Sequence, residues 1–198
     1  ARFSVFIHSS LIFHTHFFII SLRNTFRLEN TEIMKNLVIG QSGGPTAVIN
    51  ASLYGAVKAF RESGTDGHVL GMINGIEGFL ADHVMDLSTD LSDEELELLK
   101  LTPAAYLGSC RYKLPADLDS EVYPAIFDNF REMNIGYFLY VGGNDSMDTV
   151  DKLSRYAEKI GSDVKFIGIP KTIDNDLVLT DHTPGFGSAA KYVASTVR

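Results

Sequence analysis

The chain has 198 residues, 45% of them apolar and 21% charged, a balance that excludes a disordered, collagen-like or disulfide-stapled polypeptide. Lys and Arg number 17 against 25 Asp and Glu, and the formal charge of -8 would repel a nucleic-acid backbone or an anionic bilayer. Cys110 is the single cysteine, so no internal disulfide and no thiolate cage for zinc can form, which suits a reducing compartment and a cytoplasmic protein.

The first 33 residues have a composition of their own. They hold no Gly, Lys or Asp, yet six of the 13 phenylalanines fall there: Phe3, Phe6, Phe13, Phe17, Phe18 and Phe26. The run from Phe17 to Leu22 is far short of the roughly 20 apolar residues a membrane span needs, and His8, His14 and His16 interrupt anything longer. No A-x-A-like cleavage site follows, whereas Met34-Lys35-Asn36 resembles a start. Residues 1–33 are expected to be a non-native or disordered leader, and the folded domain is expected to occupy residues 34–198.

From Asn36 the pattern becomes regular. Asn36-Leu37-Val38-Ile39-Gly40 reads as a buried strand, Gln41-Ser42-Gly43-Gly44-Pro45 as a small-residue loop, and Ile49, Leu53, Val57 and Phe60 recur at helical spacing. Gly64 and Gly67 end that helix, and Val69 to Ile73 predicts a second strand, parallel to the first and closed by the turn dipeptide Asn74-Gly75. Ser92 followed by Asp93, Glu94 and Glu95 predicts a capped, acidic first turn of a short surface helix. Residues 120–133 predict another helix, with Val122, Ile126 and Phe130 on one face. Strand, glycine loop and helix then repeat: Tyr137 to Val141, Gly142-Gly143-Asn144-Asp145-Ser146, and a helix carrying Val150, Leu153 and Tyr156. Val164 to Ile169 is the last strand, and Pro170 to Asp176 the polar loop after it. The alternation predicts an α/β fold, a Rossmann-like parallel sheet with helices on both faces and ligands at the carboxyl ends of the strands.

Three loops at those ends carry candidate chemistry. The first, Gly40 to Gly44, offers backbone N–H groups and a positive helix end to an anion such as phosphate, or else the glycines serve only a tight turn. It matches neither G-x-G-x-x-G nor G-x-x-x-x-G-K-[ST], which argues against a nicotinamide-dinucleotide oxidoreductase and a P-loop. In the second loop Asn144 offers an amide oxygen suited to a hard cation and Asp145 a carboxylate, the alternative being that Asp145 or Ser146 caps the helix. In the third, Asp174 and Asp176 would project to one side of an extended segment, a pair suited to a general base with a second acid. A solvated Asx turn is the alternative for an isolated D-N-D, and three such loops at three strand ends weigh against it.

Taken together, Gln41-Ser42-Gly43-Gly44, Gly108-Ser109-Cys110-Arg111, Gly142 to Ser146, Pro170 to Asp176 and Pro184 to Ala189 resemble the 6-phosphofructokinase family. The resemblance implies the first domain of a phosphofructokinase fold and phosphoryl transfer to the 1-hydroxyl of fructose 6-phosphate with Mg2+, in glycolysis. By it Asp174 is the general base, Thr172, Ile173 and Asp176 border the sugar, Gly43 and Gly44 meet the donor phosphates, Arg111 clamps the donor and Asn144 stands at the metal position. Members that use ATP carry Gly where this chain has Asp145 and Lys171, and pyrophosphate-using members resemble it at both, so pyrophosphate is the implied donor and ATP the alternative. A carboxylate at residue 145 would repel a nucleotide's α-phosphate, and Lys171 can neutralise a departing orthophosphate. Pyrophosphate users commonly have Asp where this chain has Asn144, a weaker oxygen ligand. Family members are longer by a second half, so the chain is expected to be the amino-terminal portion of an enzyme, a homo-oligomer when full length. A non-catalytic phosphate-binding homologue is the reading from another class.

Overall fold

The computed structural model describes residues 35–197, so the expected leader lies outside the described residues. Five strands, β1 (Asn36–Gln41), β2 (Val69–Met72), β3 (Val84–Asp86), β4 (Ile135–Gly142) and β5 (Lys165–Pro170), form one sheet in the order β3-β2-β1-β4-β5. Six helices accompany them: α1 (Ala47–Glu62), α2 (Gly75–Leu80), α3 (Asp93–Leu98), α4 (Val122–Glu132), α5 (Asn144–Ile160) and α6 (Phe186–Thr196). β1 pairs in parallel with β2 and β4, and β4 in parallel with β5.

β4 sits in the middle because its sequence is apolar on both faces, and all eight of its residues are buried. Tyr137, Leu139 and Val141 join the core beneath α1, where Ile49, Leu53, Val57 and Phe60 form the inward stripe. Phe138 and Tyr140 point to the opposite face and meet Ile76 and Phe79 of α2, Phe127 and Phe130 of α4, and Leu153 and Tyr156 of α5. This second core is aromatic: the Phe130 ring lies 5.6 Å from Phe138 and 5.0 Å from Phe127. Such tilted and edge-on ring pairs add about 0.5–1.5 kcal/mol each beyond area burial.

The helix ends follow the sequence signals. Ser92 accepts the Glu95 N–H and the Glu95 carboxylate returns to the Ser92 N–H, a complete capping box on α3. α5 stops at Gly161, whose φ of 67° is the left-handed conformation glycine adopts without strain.

Two features depart from the expectations. The sheet is not wholly parallel, because β3 runs antiparallel to β2 and covers that edge. Asn74-Gly75 does not simply close β2: both residues are left-handed, with φ of 59° and 62°, and Gly75 opens α2. A Cβ at residue 75 would lie 2.8 Å from both Cys110 Sγ and Tyr140 Oη, so the close approach of α2 to the sheet requires glycine.

Candidate phosphate-transfer site

The chain leaves β1 for α1 on one face of the sheet and β4 for α5 on the other, and the gap between two such adjacent strands is where doubly wound folds bind ligands. A cleft of about 240 Å³ lies there, lined by Gly44, Pro45, Thr46, Gly143, Asn144, Lys171, Thr172, Ile173, Asp174 and Asp176. Six elements of the expected site thus meet in one place: Gly44, Asn144, Lys171, Thr172 with Ile173, Asp174 and Asp176.

Its floor is made by two helix starts. Thr46 precedes α1 and Gly143 precedes α5, and neither helix has a side-chain cap, so Asp145 and Ser146 do not fill that role. Uncapped first-turn N–H groups and the positive ends of two helices therefore face the cleft and favour an anion. The Thr46 hydroxyl is buried with no hydrogen-bond partner. Gly43 has a φ of 75° and donates its N–H to the Cys110 carbonyl at 3.2 Å, so its own amide is committed and Gly44 is the glycine that borders the cleft.

Lys171 is the distinctive side chain. Its N–H donates to the Gly142 carbonyl, which fastens the residue beside the second glycine loop. The side chain is buried, 7% exposed, and a Cβ at Gly43 would stand 3.9 Å from its Nζ. The ammonium makes no hydrogen bond or ion pair among the described residues. Burial holds its pKa below the ordinary 10.5, the charge of Arg111 lowers it further, and Asp174 offsets part of the fall. Arg111 is itself exposed, and its positive charge reaches the same region.

The third loop is a folded strap. Thr172 donates its N–H to the Pro184 carbonyl and pairs with Gly185, while the Thr183 hydroxyl returns to the Thr172 carbonyl. Asn175, left-handed with a φ of 54°, ties the strap from within: its amide donates to the Asp181 carbonyl and accepts the Thr183 N–H. The segment is therefore not extended, as the alternation of Asp174 and Asp176 had suggested. Both carboxylates border the cleft because Asn175 bends the chain between them, and the Thr172 hydroxyl accepts the Asp174 N–H at 3.0 Å.

Asp145 stands one residue beyond the cleft, its carboxylate 3.1 Å from the Lys113 ammonium. The sequence reading passed over Lys113, for which the only signal was a second cation two residues after Arg111 in an acidic chain. It also passed over a buried amide pair. Gln41 donates to the Asn50 side chain and the Ile49 carbonyl and accepts the Leu107 N–H; Asn50 accepts the Tyr106 N–H and donates to the Thr102 carbonyl. Both amides are fully buried, and they tie the segment leading to Arg111 onto β1 and α1. A polar residue beside Ile49 in the stripe of α1 was the available sign. Ser42 and Ser109 complete the junction, with the Ser42 hydroxyl on the Cys110 carbonyl and the Ser109 hydroxyl on the Gly43 carbonyl.

For a metal, the cleft supplies one amide and two carboxylates, from Asn144, Asp174 and Asp176, an all-oxygen set that fits a hard cation keeping part of its water. Among the described residues no three His, Cys, Asp or Glu side chains gather to hold an ion by themselves. No helix of the described residues is long and apolar enough to cross a membrane.

Fold and site define a doubly wound α/β domain with a cleft at its topological switch point, bordered by two helix starts without side-chain caps and by a buried lysine. The phosphofructokinase family model matches residues 36–198, and the chain belongs to that family. It is 46% identical over 164 residues to the pyrophosphate–fructose 6-phosphate 1-phosphotransferase of Halomonas elongata, covering 81% of this chain and 39% of that protein. It is 40% identical over 162 residues to the sulfofructose kinase of Alkalicoccus urumqiensis, covering 82% and 40%. The crystal structure of a pyrophosphate-dependent phosphofructokinase from Marinobacter aquaeolei superposes with a TM-score of 0.73 at 45% identity, over 81% of this chain and 39% of that one. The chain thus spans about two fifths of the length of the relatives it matches.

Proposed function

We propose that this chain is the donor-binding part of a phosphotransferase that moves a phosphoryl group from pyrophosphate to the 1-hydroxyl of fructose 6-phosphate. The observation that carries the reading is Lys171: a side chain more than nine-tenths buried whose ammonium has no hydrogen-bond partner among the described residues, near a second cation, in a cleft floored by two helix N-termini. Burying an unpaired charge is costly, so such a group is kept for a ligand that completes it. In this reading the sugar oxygen attacks the near phosphorus and its proton passes to Asp174. The bond from that phosphorus to the bridging oxygen breaks, and the departing orthophosphate takes its charge compensation from Lys171 and Arg111. Gly44 and the starts of α1 and α5 orient the donor, and Thr172, Ile173 and Asp176 border the acceptor. Mg2+, when bound, would neutralise donor charge; Asn144 and the cleft carboxylates are the residues to hold it.

Donor choice follows from the rim. By the resemblance to pyrophosphate-using members, the carboxylate of Asp145, next in the chain to the cleft-lining Asn144, repels the α-phosphate of a nucleotide, and this disfavours ATP. The net charge of -8 disfavours nucleic acid and anionic membrane as partners, and the free, buried Cys110 fits the cytoplasm. The exposed Tyr192 and Val193 of α6, with Val197 just after it, are consistent with a larger assembly of the family-length protein.

The test is a chimera in which residues 35–197 replace the matching segment of the Halomonas elongata relative. Fructose 1,6-bisphosphate should form with pyrophosphate and Mg2+ and far more slowly with ATP. Preference for ATP would overturn the donor assignment, and binding of pyrophosphate without turnover would make the segment a non-catalytic phosphate binder.

A further inference from the structure

Resting on the donor reading above, we propose that Lys113 is a further donor-binding residue, held at the rim of the cleft by Asp145 and passed to an oxyanion of pyrophosphate when the donor enters. Lys113 follows Arg111 by two residues on a loop whose backbone is fixed at both ends. Cys110 is buried and its carbonyl accepts from Gly43 and Ser42; Leu114 is buried and its carbonyl accepts from the Lys152 ammonium. Between these anchors the Lys113 side chain is 71% exposed, so its position is set by the loop while its head remains free to turn.

Its present partner makes the exchange possible. The Asp145 carboxylate, 3.1 Å away and 70% exposed, belongs to the first turn of α5, one residue past the cleft-lining Asn144. An ion pair this exposed is weak and screened by salt, so it cannot compete with a phosphate carrying more charge in a cleft already biased towards anions. Two cations stand near one another at the cleft, Arg111 and Lys171, close enough for one to lower the pKa of the other, in a chain that is acidic overall. A two-phosphate donor resolves the repulsion between these two cations, and its several oxyanions can accept from a third. Asp145 then acts in two ways, keeping Lys113 at the rim before binding and standing as an unpaired carboxylate against a longer donor after it.

The experiment is a double-mutant cycle on the 198-residue chain, with magnesium pyrophosphate binding read by calorimetry, and on the chimera described above, with the KM for pyrophosphate. Lys113→Gln should weaken pyrophosphate about tenfold, the loss of one charge-assisted hydrogen bond, both in the native background and in Asp145→Asn. Lys113→Arg should stay within about threefold of the parent. The KM for fructose 6-phosphate and the melting temperature should not move. If the cost of Lys113→Gln vanishes in the Asp145→Asn background, Lys113 is only the counterion of Asp145 and the proposal is wrong. A Lys113→Gln chimera that uses pyrophosphate unchanged overturns this inference and leaves the donor reading standing. Absence of pyrophosphate binding and turnover in both parents overturns the donor reading and this one with it.

Discussion

Replacing Lys171 by Met should stabilise the domain and remove its reaction with pyrophosphate. The side chain is 7% exposed, its ammonium has no hydrogen-bond partner among the described residues, and both burial and Arg111 disfavour its charge. Met keeps much of the volume and none of the charge, so the desolvation cost disappears while the packing of the aliphatic stem survives. Exchanges of this kind are worth about 1–2 kcal/mol, or roughly 2–8 °C in melting temperature for a domain of this size. The pH dependence fixes the sign. A lysine whose native pKa lies below its ordinary value binds fewer protons folded than unfolded in the interval between the two, so native stability rises with pH there. The advantage of Met is therefore full below that native pKa and gone above 10.5. In the chimera, kcat with pyrophosphate should fall about 100- to 1000-fold, the usual effect of deleting one donor to a developing oxyanion. Thermal melts from pH 6 to pH 11 with parallel rate assays decide the matter. A Met variant that melts lower than the parent at neutral pH would show that the fold satisfies the ammonium, and the inference of a cation stored for a ligand would fail.

Three further outcomes are expected. Asp174→Asn preserves shape and removes basicity, so kcat in the chimera should drop at least about 100-fold with a much smaller change in KM; an unchanged kcat would move the base to Asp176. Asp145→Gly should let ATP act as donor with a melting temperature within a few degrees of the parent, because the lost ion pair is exposed; no gain of ATP turnover would end the repulsion argument. Gln41→Leu should cost about 1–3 kcal/mol by urea denaturation, since it strands the Leu107 N–H in a fully buried place and removes one of the two hydrogen bonds to the Asn50 Oδ1. A loss below about 1 kcal/mol would mean that water replaces the amide.

Local signals revealed the sheet's centre, and contacts between distant segments hid much of the site. β1, β4 and β5 were readable because each is a short, mainly apolar run with glycine or proline at or next to its end, and β1 and β4, buried almost throughout, have the near-continuous apolar sequence of a strand covered on both faces. β3 was not, because Val84, Met85 and Asp86 are only half-buried and make too short a segment for a period to show. α2 was masked by Asn74-Gly75, whose left-handed angles suit a turn and equally suit the start of a helix. The polar residues of the cleft were visible as glycine loops at strand ends, whereas the Lys113–Asp145 pair and the Gln41–Asn50 amides join segments that no local window contains. Asp174 and Asp176 were placed at the cleft by an argument from alternation that Asn175 contradicts; they reach it through a bend.

The junction between the first glycine loop and the Arg111 loop runs through main-chain oxygens. The Cys110 carbonyl takes hydrogen bonds from Gly43 and Ser42, and the Gly43 carbonyl takes one from Ser109. A carbonyl is the same whatever side chain its residue carries, so most of this coupling leaves no trace in paired substitutions between relatives. Covariation would score the two loops as independent, and an engineer who transplanted one without the other would change where Arg111 stands relative to Lys171. The two loops behave as one structural unit, with two side-chain hydroxyls and the Gly43 N–H on the donor side and main-chain oxygens on the acceptor side.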